Sequence, residues 1–209
     1  MKPARALALM QDVPVASGQP AVSAASGVSV RINPARDVAT ALAAEWQALS
    51  AHASEVNCFA EPWFVAAGLR HLAAEDVLLA EARDTNGMLV GVMPLCVAEV
   101  YGRLPVRHVE NWRHHHCFLG ALLVRAGVER AFWAALIAAL DSSRWARGFL
   151  HVNGLVEDGP LHRGMIAAAA QLGRPAPTVH RSVRAELRSA LSSADYLETT
   201  ARKKKRKEL

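Results

Sequence analysis

The stretch NWRHHHCFLG, residues 111–120, holds the densest set of side chains able to do chemistry: three histidines and a cysteine in a row. Imidazole and thiol together suggest zinc. On an extended strand, however, neighbouring residues point to opposite faces, so only His114 and His116 share a side. A tetrahedral zinc site draws three or four ligands from separated positions, as in paired CxxC or HxxxH spacings. Cys58 and Cys96 each stand alone, and no such pair accompanies the histidines. The sequence predicts no metal and leaves this stretch as a polar turn between strands or as a polar cluster facing a substrate.

The chain ends in YLETTARKKKRKEL, with Arg202 to Lys207 an unbroken basic run. That run, with Glu208, carries all of the formal net charge of +5, so the rest of the 209 residues is neutral in sum. Six phosphates' worth of positive charge would suit nucleic acid, but no aromatics are interleaved and no nucleic-acid motif accompanies it. Ser192 and Asp195 have the spacing of a capping box, and nothing from Ala194 to Leu209 breaks a helix. The run is expected on a helix, which reads as a nucleic-acid tail, as a solvated face or as the entry helix of a further domain with a groove for an anionic group.

Other reactive patterns are missing from the sequence. There is no GxSxG elbow, no P-loop and no GxGxxG. The turn VRAGVERAF at 124–132 offers one glycine, Gly127, and Arg125 does not stand at the spacing an acyl-CoA pyrophosphate turn uses. It reads as a helix start without a phosphate-binding role. Three widely spaced cysteines fit free thiols in a reducing compartment. The longest apolar run, AFWAALIAAL, is too short to span a bilayer, and no signal peptide is evident. The arginine-rich, alanine-rich composition suggests a bacterial, cytoplasmic protein.

Elements must position these groups. Residues 1–27, rich in Ala, Ser, Pro and Gly, read as a disordered leader. Strands are expected at 28–32, 77–84, 88–100, 106–112, 117–124, 149–156 and 178–187. Helices are expected from Asn33 (N-cap) and Pro34 to Leu49, from Pro62, over 128–141, and from Pro160 to Leu172. The tight turn at 85–87 has the residues of a hairpin. Pro94 predicts a bulge or an edge in its strand. The order predicts an α/β fold, a mixed and mostly antiparallel sheet with helices on both faces.

NCFAEPWFVAA at 57–67, MLVGVMPL at 88–95, WRHHHCFLGALLV at 112–124, LVEDGPL at 155–161 and YLETTARKKKRKEL at 196–209 together resemble the GNAT-type acyltransferases of the FemAB-like group, in particular those like the cellulose-biosynthesis CelD acetyltransferases. The resemblance spans roughly residues 30–209. It implies a tandem of two GNAT-like halves, the first degenerate and the second holding an acyl-CoA, with the acceptor between them. Residues 28–190 would then be the first half, and 191–209 the linker and first helix of a second. The implied activity is transfer from acetyl-CoA or another acyl-CoA to an amine on a small molecule, glycan or peptide, with this half inactive alone. Within it, Trp112, His114 and His116 are candidate substrate contacts, and Lys203 and Arg206 candidate anion contacts. No catalytic residue is named. The alternatives are a non-catalytic GNAT-like interaction module that covers an apolar face by oligomerising, and nucleic-acid binding through the basic run.

Overall fold

Val28, Val30 and Ile32 alternate with residues open to solvent, and the segment that carries them, β2 (Val28–Pro34), is a strand with one buried edge of side chains. The computed structural model describes residues 22–23, 27–72, 76–146, 148–185 and 189–200. Two units separate at Ala176 and Pro177.

In the first unit β2 lies antiparallel to β3 (Leu78–Asp84), and β3 to β4 (Leu89–Ala98). A tight turn joins β3 to β4: Gly87 takes a φ of 80°, and the Asp84 carboxylate accepts the N–H groups of Asn86 and Met88. On its other side β4 pairs antiparallel with β5 (His108–Asn111) and, further along, with β6 (Leu123–Val124). The last strand, β7 (Leu150–His151), lies parallel to β5. A two-residue strand, β1 (Val22–Ser23), adds to the outer side of β2, inside the stretch expected as leader. The sheet is thus mixed and mostly antiparallel, as the sequence predicts.

Helices cover both faces. On one face α4 (Glu129–Asp141) and α5 (Pro160–Gln171) close a core in which Phe132, Trp133, Leu136 and Ala168 meet Val30, Ala82, Met93, Leu95 and Val109. The Trp133 indole N–H donates to the Leu161 carbonyl at 3.0 Å. On the other face α1 (Ala35–Ala39), α2 (Ala43–Ser50) and α3 (Pro62–His71) bury Trp46, Leu49, Val65 and Leu69 against Leu79, Val92 and Leu123. The Trp46 N–H donates to the Ala60 carbonyl at 2.9 Å. Both α3 and α5 begin with proline at the first helical position, where the lost N–H has no intrahelical partner.

Several expectations need correction. Asn33 is not a helix cap: it pairs with Leu79 in the sheet, and the expected single helix is two, separated at Thr40–Leu42. The expected strand at 117–124 contracts to Leu123–Val124, and that at 149–156 to Leu150–His151, because side chains replace the ladder there. Residues 178–185 form no strand. Pro94 sits in a central strand, and the ladder irregularity falls at Ala82/Arg83 instead. The Pro94 carbonyl accepts the Trp112 N–H, so its missing N–H faces the break between β5 and β6, where no ladder bond is lost.

The second unit is described from Pro177 to Ala185 and from Ser189 to Thr200. Its one described helix is α6 (Ser193–Thr200). The Ser192 hydroxyl accepts the Asp195 N–H at 3.1 Å, the first half of the predicted capping box, and the Asp195 carboxylate accepts from that same hydroxyl at 2.6 Å, where a full box would use the Ser192 backbone N–H. No helix among the described residues is long and apolar enough to cross a membrane.

Candidate functional site

The strands β5 and β6 are two pieces of one line, broken by residues 112–122, and chemistry-bearing groups gather at the break. Only two residue pairs join β5 to β7. Beyond them the Asn111 carboxamide takes over: its Oδ1 accepts the Asn153 N–H at 2.7 Å and its Nδ2 donates to the Asn153 carbonyl at 3.0 Å. One side chain thereby does the work of a neighbouring strand, and it is almost wholly buried. Gly120 closes the junction. Its N–H donates to the Gly154 carbonyl, its carbonyl accepts from Asn57 Nδ2 at 2.6 Å, and a Cβ there would stand 2.6 Å from the Asn153 oxygen.

On the face of β5 opposite Val109, the pleat puts His108 and Glu110 side by side. Register then sets His151 of β7 beside Glu110 from one flank and Cys96 of β4 from the other. His151 Nδ1 lies 3.7 Å and His108 Nε2 4.0 Å from Glu110 Oε2. Asn153 Nδ2 reaches the same oxygen at 3.4 Å, and the Cys96 thiol lies 3.9 Å from Oε1. His108 is 2% exposed, and its Nδ1 stands 3.0 Å from the Val106 carbonyl, which fixes the proton on that nitrogen. The Phe149 ring stacks on His108 at 4.7 Å, and Tyr101 meets both histidine rings edge-on. Burial pushes the Cys96 thiol up to about 12, with the Glu110 charge adding to the effect. Burial also lowers His151, against the opposing pull of Glu110.

The residues singled out by sequence lie on the other side of the break. Trp112 is buried in the core beneath α3. His114 stacks on Phe64 of α3 at 5.4 Å and packs over Gly68, where a Cβ would come within 2.9 Å of both His114 and Trp112. Burial lowers its pKa, and the neighbouring His116 and His115 act the same way. His116 is exposed and gives its backbone N–H to His114 Nδ1 at 3.3 Å. The break therefore brings Trp112 and His114 together as a packing unit against α3, and leaves His116 open. Lys203 and Arg206 lie outside the described residues. The sequence reading missed Glu110, His108 and His151. The alternation His108-x-Glu110 is a local signal, but the third member comes from a strand 40 residues on.

Two helix N-termini carry carboxylates of the chain itself. At the start of α4 the Glu129 carboxylate accepts the Gly127 N–H at 3.1 Å, with Gly127 at a φ of 87°. At the start of α5 the Glu55 carboxylate accepts the Leu161 N–H at 3.1 Å. Burial raises the Glu55 pKa, the Leu161 N–H opposes this, and the charge on Glu129 adds to the rise.

No known family model matches the chain, and no curated protein matches it. Among solved structures, the chain is similar to an aminoglycoside antibiotic 6'-N-acetyltransferase from Acinetobacter baumannii, at 12% identity and a TM-score of 0.45, over 77% of this chain and 99% of that one. It is similar to an acetyltransferase from Trypanosoma brucei at 13% identity and a TM-score of 0.42, again over 77% and 99%.

Proposed function

We propose that the chain is a half of a GNAT-type N-acyltransferase that does not itself hold the acyl-CoA donor and is inactive alone. The observation that carries this reading is the occupation of the α5 N-terminus by the Glu55 carboxylate, with the Glu129 carboxylate turned onto the Gly127 N–H just before α4. A helix N-terminus attracts a pyrophosphate through unpaired N–H groups and the positive end of its dipole. Here the α5 N-terminus already gives an N–H to Glu55 and α4 opens on Glu129, so an incoming anion meets a carboxylate at either place. The donor is held elsewhere, and an amine acceptor attacks its thioester carbonyl directly, so this half needs no nucleophile of its own. His116 is the open ring among the candidate substrate contacts. Trp112 and His114 shape the wall behind it, and Lys203 and Arg206 remain anion contacts in this reading.

Calorimetric titration of the chain with acetyl-CoA tests it. The expected result is no saturable heat. A dissociation constant below about 0.1 mM overturns the reading, since that affinity requires a formed donor site.

A second reading, the interaction module, has its own observation. Trp63 is 63% and Phe118 56% exposed, and they are the ends of an edge-to-face chain that runs through Phe64 and Phe59. Exposed contiguous aromatics mark association surfaces. Light scattering separates the two: a monodisperse monomer at high concentration removes self-association.

A further inference from the structure

We propose that His108, Glu110 and His151 form a binding site for a divalent transition metal, with two imidazole nitrogens and one carboxylate as its donors. The three offer ligand atoms that all lie within 4.8 Å of one another. Backbone pairing sets this proximity: pleat and register put the three on one face of two adjacent strands. A tetrahedral ion with bonds of about 2.0–2.2 Å needs ligand atoms about 3.4 Å apart. The spacings of 3.7 and 4.0 Å close to that by small side-chain rotations.

Protonation and surroundings argue the same way. The Val106 carbonyl holds a proton of His108 on Nδ1, which leaves Nε2 as the ring nitrogen turned toward the Glu110 carboxylate. His108 is 2% exposed, so its side of the site is shielded from water. A backbone carbonyl on the remote imidazole nitrogen and an amide on the carboxylate are the outer partners that orient metal ligands, and here they are Val106 and Asn153. Phe149 and Tyr101 fix the ring planes. No arginine or lysine is ion-paired with Glu110 among the described residues. Two imidazoles and a carboxylate suit zinc or the redox-active first-row ions, and three protein ligands leave a position open to water or substrate. The expectation of no metal rests on the contiguous histidines at 114–116 and on the isolated Cys58 and Cys96, and this site uses none of them.

The test is titration of the metal-stripped, tag-free chain with Co²⁺, read by its visible absorption, and with Zn²⁺, read by calorimetry. The expected result is one ion per chain with a dissociation constant below about 1 μM, and a higher Tm with zinc present. Glu110→Gln keeps shape and removes the anionic donor, and His151→Ala alters a partly exposed residue. Each is expected to weaken binding at least about 100-fold with the circular dichroism unchanged. The double variant His114→Ala/His116→Ala is expected to bind like the wild type. No saturable binding at 10-fold higher metal overturns the proposal. Loss of binding in the 114/116 variant with retention in Glu110→Gln overturns it equally.

Discussion

Asn111 fills the place of a strand with a single carboxamide, and its chemistry leaves no latitude. Its two hydrogen bonds need one acceptor and one donor, in that order. Asn111→Asp keeps the size but sets an oxygen against the Asn153 carbonyl in a buried place. The expected cost is about 2–3 kcal/mol in urea denaturation. The thiols differ as sharply. Cys58 is exposed, whereas burial raises both Cys96 and Cys117, and the Cys117 thiol donates to the Leu119 carbonyl at 2.8 Å. With a thiol reagent at pH 8, Cys58 is expected to react at least about tenfold faster than the other two, because the thiolate is the nucleophile. Glu55 gives a pH signature. Burial holds its folded pKa above the ordinary glutamate value of 4.5, so the folded state keeps its proton to higher pH than the unfolded state does. The associated stability is present below 4.5 and is lost as pH rises through the folded value. Melting curves of Glu55→Gln minus wild type are therefore expected to show a gain that grows as pH rises from 4.5. A flat difference would leave Glu55 without its burial penalty.

At the scale of elements, α4 is held by fit. Gly91 of β4 passes under Phe132, and a Cβ there would lie 2.5 Å from the ring. Gly91→Ala is expected to destabilise by about 1–3 kcal/mol, since a packed aromatic cannot yield without disturbing its neighbours. Chemical denaturation measures this. On the other face Arg83 ties three elements together. It pairs with Glu45 of α2 at 2.6 Å, with the buried Glu81 beside it, and with the Gly87 carbonyl at 2.6 Å. Helices α3, α4 and α5 were legible because their apolar stripes recur at helical spacing and two of them open on proline. The apolar run CFLGALL was read as a strand because its composition is that of a strand. Its backbone groups instead go to Asn57, Gly154 and its own turn. No local pattern encodes that choice. The Glu110 cluster was illegible for a related reason: its members meet only once β5 and β7 are in register, whereas the contiguous histidines drew attention by adjacency alone.

For the whole molecule, the unit ending at Ala176 contains the sheet, both cores and the Glu110 cluster. Removing residues 177–209 is expected to leave its Tm within about 3 °C of the full chain, which corresponds to less than about 1 kcal/mol. A larger drop would make the two units one cooperative structure. Along β4, Leu95 faces Asn111 and Val92 faces Leu123. Two residues opposite Met93 and Pro94 would be enough to join β5 to β6, yet eleven are used. The surplus is a loop set between two flanks that hold one continuous register along β4. Pro94, opposite its start, offers the opening a carbonyl and no N–H, so the strand beneath binds only the first residue of the loop and leaves the rest to partners outside the sheet.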